Sequence, residues 1–270
     1  MSSLRTRALV ICFPIIVGWL PLASRSSSYH LEFDDRIPGY EEVTLVNDSE
    51  KSIEAYEVSQ ACQRSNGGIG NDSLDYILGG SSNIRAADGS IAHNGVLEPG
   101  GRWRIGKFTL PVNGDCQNQV IAVLFSDGSF EGKDAAVRGL KAHRDGLAAG
   151  ANYWADRINQ EKPDGSTLDA LLAEVKRCIV EDQSKQRKYW LRLRYDDTPQ
   201  PLWLYWSGRI QVERTVEVTF PKDLSQEKAA QSFREVADLI NQWKKKIDGN
   251  LALQKLNGMF PPISESGDRQ

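Results

Sequence analysis

Histidine and cysteine are scarce in this chain, three and four among 270 residues. They do not fall at the C-x-x-C or Cys/His spacings that a zinc site uses, so no metal ligand set is expected. The G-x-S-x-G nucleophile elbow is also missing, since the clusters GGSSN and NGGIGND lack its flanks. Gly67, Gly68 and Gly70 are not followed by a helix carrying a third glycine, so they build no phosphate cradle. The acids from Asp127 to Asp134 miss the ligand positions of a calcium loop. A strong charge of one sign is lacking too. Lys+Arg number 33 against 36 Asp+Glu, which gives no general attraction to nucleic acid. No cofactor and no catalytic residue is expected.

What is present suits a buried core: 40% of residues are apolar and 26% charged, which excludes disorder of the whole chain. One apolar run stands out. Arg5 and Arg7 precede an uncharged stretch from Ala8 to Leu22, and Ala23 and Ser24 supply small residues. This is the pattern of a secretory signal peptide over residues 1–24. The alternative is a retained anchor, but a spanning helix needs about 20 apolar residues, and Pro14 and Pro21 each remove a backbone donor. Cleavage takes away Arg5 and Arg7 and no acid, leaving a net charge of −5. The mature protein is expected outside the cytoplasm, periplasmic or secreted, with no stable membrane span.

Cys12 leaves with that leader, and Cys62, Cys116 and Cys178 remain. Cys62 ends one strand-like run and Cys116 precedes another, so a bridge between strand ends is expected in an oxidising compartment. It would close a loop of about 55 residues, worth roughly 4 kcal/mol by loop entropy. The alternative is three buried, inert thiols. Cys178 lies in a helical pattern and reads as buried and unpaired.

The first half reads as strands. Glu41–Asn47 and Ser52–Cys62 alternate around a polar turn, which is a hairpin signal. The stretch after Cys62 reads as a loop as far as a short strand at Leu74–Leu78. Gly79–Gly95 reads as a further loop. Two short strands are then broken by Pro99, Gly100 and Gly101. Gln119–Phe125 is nearly all apolar, as expected of a strand buried on both faces. Asp127 and Gly128 turn the chain into a return strand at Ser129–Gly132. About seven short strands predict an antiparallel, immunoglobulin-like β-sandwich over residues 29–132.

Residues 133–250 read as a helical region. Val137, Leu140, Leu147, Ala151, Trp154 and Ile158 form one stripe over Asp134–Glu161, weakened by Gly139, Gly146 and Gly150. A second helix is expected to be capped by Ser166 or Thr167, with Leu168, Leu171, Leu172, Val175 and Ile179 as its stripe. Another runs from Ser225 to about Ile247, with Phe233, Val236, Ala237, Ile240 and Trp243 inward. Residues 251–270 read as a tail, and its last ten, PPISESGDRQ, are expected to fray. Between Lys188 and Phe220 two signals conflict: KYWLRLRY and RIQVERTVEVTF alternate like a hairpin, while the flanking helices favour helix over 203–219. The fold class expected is thus α+β.

Three motifs carry a resemblance. Asn47, Ser49, Lys51, Ile53, Ala55 and Tyr56 fit N-x-S-x-K-x-I-x-A-Y; Pro99 and Gly100 form a Pro-Gly turn; Phe125, Asp127, Gly128 and Gly132 fit F-x-D-G-x-x-x-G. Over residues 40–185 the chain resembles a group of uncharacterised exported bacterial proteins. The resemblance implies a sandwich followed by a helical hairpin, and its motifs are turn chemistry.

Six aromatics fall close together: Tyr189, Trp190, Tyr195, Trp203, Tyr205 and Trp206, interleaved with Lys188, Arg192, Arg194 and Arg209. Tyr189, Trp190, Trp203 and Trp206 are the candidate ligand platform, rimmed by cations. The plainer reading is core packing with snorkelling cations. His30, Glu32 and Asp34 would share one face of a strand, which suits a metal, or a solvated segment. Asn47 and Asn71 head N-x-S patterns. Taken together the sequence predicts a non-enzymatic exported module that touches a protein or an envelope component. The alternative is a secreted hydrolase acting on polysaccharide or peptidoglycan, whose paired carboxylates can come from anywhere in the chain.

Overall fold

The computed structural model describes residues 28–34, 40–62, 68–75, 84–85, 96–109, 116–161, 165–196, 201–219, 226–261 and 263. They form an α+β structure with strands first and helices after. The strands are β1 (Tyr29–Asp34), β2 (Tyr40–Asn47), β3 (Ile53–Cys62), β4 (Gly68–Asp75), β5 (Ile84–Arg85), β6 (Arg102–Thr109), β7 (Cys116–Phe125) and β8 (Phe130–Gly132). They pair antiparallel into two four-stranded sheets, ordered β1-β2-β6-β5 and β4-β3-β7-β8. The helices are α1 (Asp134–Asn159), α2 (Gly165–Asp196), α3 (Pro201–Thr219), α4 (Gln226–Asp248) and α5 (Leu251–Met259).

The expected hairpin of the second and third strands does not form. β2 pairs with β1 and β6, while β3 pairs with β4 and β7, so the turn after Asn47 carries the chain from one sheet to the other. Alternation fixes which side chains face inward and says nothing about which strand lies alongside. The inward residues of both sheets share one apolar cluster: Leu45 of β2, Ile53, Tyr56 and Val58 of β3, Trp103 of β6, and Val123 and Phe125 of β7. The Trp103 indole donates to the buried Tyr56 hydroxyl at 2.6 Å. The loop expected after Cys62 is also corrected. Gly68–Asp75 is β4, held by its backbone ladder to β3, and its Gly-, Asn- and Asp-rich composition concealed that. Gly79–Gly95 lies mostly outside the described residues.

β7 is buried on both faces over Ala122–Phe125, the later part of the run expected to be so, while Gln119 is exposed. Ala122 and Leu124, with Ala55 of β3, face Ala136, Val137 and Leu140 of α1 and Ala252 and Leu256 of α5. The first part of the segment read as a tail is the helix α5: three of its nine residues are buried, and the Asn250 side chain accepts from the Leu253 amide at 2.7 Å as an N-cap, while most of the stretch expected to fray lies outside the described residues. A short helix with one packed face gives little periodic signal. The start of α2 at Gly165 places Ser166 and Thr167 inside its first turn, not at a cap. The segment 203–219 is helical, within α3, despite its alternation. Alternation there gives way because α3 is packed on several sides, with Leu204, Tyr205, Trp206, Gly208, Ile210, Val212, Glu213 and Val216 all buried.

Glycine explains how α3 fits. A Cβ on Gly146 would lie 1.9 Å from the Tyr205 carbonyl oxygen, and one on Gly208 would lie 2.1 Å from the His143 carbonyl oxygen. Of the three glycines read as weak points of α1, Gly146 is where α3 approaches backbone to backbone, while Gly139 and Gly150 make room for the side chains of Leu204 and Val212. The C-terminal half of α1, with Leu147, Ala151, Trp154 and Ile158, then joins residues of α2, α3 and α4 in the largest apolar cluster.

Candidate functional site

The three motifs meet at one end of the sheets. The Asn47 side chain, fully buried, donates to the carbonyls of Lys51 and Leu97, both at 2.8 Å, and accepts from the Ser49 hydroxyl at 2.7 Å. The Gly100 amide donates to the Asn47 carbonyl at 2.8 Å. Lys51 reaches across to Asp127 at 2.8 Å and donates to the Ser129 hydroxyl at 2.8 Å. Asp127 accepts from the Ser129 amide at 2.8 Å, around Gly128 at φ +79°. The Lys51 ammonium and the Ser129 donors hold the Asp127 carboxyl well below the usual carboxylate range. These are turn and strand-crossing contacts. They also occupy the Asn47 amide, so it is not an open glycosylation acceptor.

The aromatic candidates divide. Tyr189 and Trp206 are buried with Tyr205, and Trp203 and Leu202 pack partly buried against them. Tyr205 and Trp206 meet edge to face with centroids 5.2 Å apart. Two cations cover Trp206, Lys185 at 4.3 Å and Arg209 at 5.4 Å from the ring centroid. Three of the four candidate residues thus share one cluster, as a packed core and not an open platform. The side chains of Trp190, Arg192, Arg194 and Tyr195 lie outside the described residues.

Beside that cluster lies a group that the sequence did not single out. Asp182 of α2 pairs with Arg209 of α3 at 3.0 Å and with Lys185 at 3.1 Å. Glu213 stands one turn beyond Arg209, 3.9 Å from its guanidinium, and is 0% exposed. Neither Glu213 carboxyl oxygen has a hydrogen-bond partner. Burial, and then the charge of Asp182, push the Glu213 carboxyl up to about 8. Next to it, burial raises the Cys178 thiol, which makes this cysteine a poor nucleophile. Along α1 the Tyr153 hydroxyl donates to Glu174 at 2.6 Å, and Arg157 pairs with Glu174 at 2.9 Å. The signal available in sequence was Asp182/Lys185 at i,i+3 and Arg209/Glu213 at i,i+4, but both spacings are common on exposed helix faces.

A second polar group joins helices to sheet. Arg144 of α1, 0% exposed, pairs with Glu54 of β3 at 3.0 Å and donates to the Asn250 side chain at 3.0 Å. Asn250 in turn donates to Glu54 at 3.0 Å. A register shift between Ile53 and Ala55 accommodates Glu54 in β3. One turn earlier, Lys141 pairs with Asp145 at 2.6 Å, and Asp145 also accepts from the Ile263 amide at 2.9 Å. Glu57 sits under α1, 2% exposed, with its Oε2 unpartnered, and burial pushes its carboxyl up to about 7.

His30, Glu32 and Asp34 lie on β1. His30 contacts Asp48 at 2.5 Å and lies 3.6 Å from Glu32, which also pairs with Arg102 of β6. Among the described residues no group of three metal-ligating side chains converges. No described helix is long and apolar enough to cross a membrane. No family model, curated protein or solved structure matches the chain.

Proposed function

We propose that this chain is an exported, non-enzymatic module that acts by contact with a protein or an envelope component. In this reading residues 1–24 are a cleaved leader, and the two sheets close as an immunoglobulin-like sandwich. The chain then groups with the exported bacterial proteins that its motifs resemble. One observation carries the reading: the buried cations Arg144 and Lys141 and their part-buried partners Glu54 and Asp145 are spent on joining strand, helix and C-terminal segment to one another. Surface pairs on the outer sheet (Glu32 with Arg102, Glu42 with Arg104) leave a charged face for such a contact. The test is co-sedimentation of the purified mature chain with isolated envelope fractions, followed by Trp fluorescence. Saturable association that falls with salt supports the reading, and no association with any fraction overturns it.

A second reading rests on the acid pair of the helices. Asp182, paired with Arg209 and Lys185, stands beside Glu213, whose carboxyl burial pushes up to about 8, and a glycosidase uses two neighbouring carboxyl groups. A polysaccharide or peptidoglycan hydrolase of this design would release reducing ends, and Glu213→Gln would abolish the release. Full burial of Glu213 ranks this reading second, since a substrate reaches it only if α2 and α3 part.

A further inference from the structure

The register of β3 against β7 runs from Ile53↔Phe125 to Cys62↔Cys116, which sets the last residue of one strand opposite the first residue of the other. Opposite Cα atoms of an antiparallel pair lie about 4.5–5.5 Å apart, inside the span that a disulfide bridges. The pairing is fixed by the other partners along these strands, independently of the cysteines. On its other side Cys62 stands opposite Gly68 of β4, so it belongs to a strand paired on both sides. The opposite end of the β3–β7 pair is already tied, by the Ser126 amide to the Ser52 carbonyl at 2.9 Å and by Lys51 to Asp127. The cysteine end has no such turn, because the chain leaves β3 there for β4.

We propose that Cys62 and Cys116 form a structural disulfide that closes this end of the sheet, while Cys178 stays a thiol. The two thiols lose two protons and two electrons as the S–S bond forms, and a disulfide donor (an oxidoreductase or glutathione disulfide) takes them up to become two thiols. Cys178 is excluded as a partner by its place on α2, buried among helices. In the cell the oxidant rests on the export reading; the pairing itself does not.

The test is thiol alkylation and peptide mapping on the mature chain, both as isolated from cells and after equilibration with a glutathione redox couple. Support is one cross-linked Cys62–Cys116 peptide, lighter by two hydrogens, with Cys178 alkylated only after unfolding. Free Cys62 and Cys116 under excess glutathione disulfide, or a link to Cys178, overturns the proposal. A link that forms in vitro but is missing from cells keeps the pairing and counts against export. The double variant Cys62→Ser/Cys116→Ser should melt about 10 °C below the oxidised chain. If that variant does not fold, the mapping of the unaltered chain decides.

Discussion

Two of the buried polar groups among the described residues are built to different standards. Between sheet and helices, Arg144, Glu54 and Asn250 close a ring of hydrogen bonds. Between α2 and α3, Asp182 and Arg209 form an ion pair at 3.0 Å whose facing atoms lack hydrogen-bond geometry, and both oxygens of Glu213 are left without a hydrogen bond. A satisfied buried ion is costly to break, and an unsatisfied buried carboxyl is kept neutral by the fold. The first group is therefore a clamp, and the second binds a proton as the chain folds.

The largest effect should come from opening the clamp. Arg144→Met leaves the part-buried Glu54 carboxylate without its cation and with only the Asn250 amide beside it, and is expected to cost about 3 kcal/mol in urea unfolding. Gly146→Ala comes next. It drives a methyl into the Tyr205 carbonyl and pushes Arg209 and α3 away from α1, at about 3 kcal/mol, while leaving the ring at Glu54 in place. Near-UV circular dichroism should then change at Trp206 and Tyr205, and the sheets should keep their signal.

Glu213→Gln sharpens the contrast. The folded carboxyl titrates near 8 against an ordinary value of 4.5, so the folded state holds a proton that the unfolded state has lost. Stability linked to this group is full below 4.5 and is lost as pH rises to about 8. The unaltered chain should lose up to about 1.4 kcal/mol per pH unit across that window from this group. Glu57 adds the same sign of dependence up to about 7, so the interval from 7 to 8 isolates Glu213. Glu213→Gln should flatten the profile there, and Glu57→Gln should flatten it only below. The smallest effect belongs to the exposed sheet: Glu32→Gln, which loses the Arg102 pair, should cost less than about 1 kcal/mol.

Legibility followed the same division. The stripes of α1, α2 and α4 were readable because their apolar residues repeat at helical spacing and end up buried: Leu147, Val175 and Ile240 lie in one cluster. β7 was readable because a run apolar on both faces has few other homes. Strand partnership was not, since β2 and β3 carry the alternation of a hairpin and enter different sheets. β4 was hidden because a backbone ladder needs no particular side chains. Gly146 was read against the helix propensity scale, when what selects it is a close approach visible only between two helices. The aromatic residues were found and their packing was not, because Tyr189, Trp203 and Trp206 give the same sequence pattern whether they face solvent or one another. Glu213 gave no warning at all: an acid one turn from an arginine is ordinary on a surface, and only burial makes it a proton site.

A double-mutant cycle tests the clamp most directly. Glu54→Gln, Arg144→Met and the pair together, unfolded in urea at one pH, give the coupling between strand β3 and helix α1. A coupling of about 2 kcal/mol or more is predicted. A coupling below about 0.5 kcal/mol would mean that the two side chains do not hold helices to sheet, and that the buried charges serve something other than the fold.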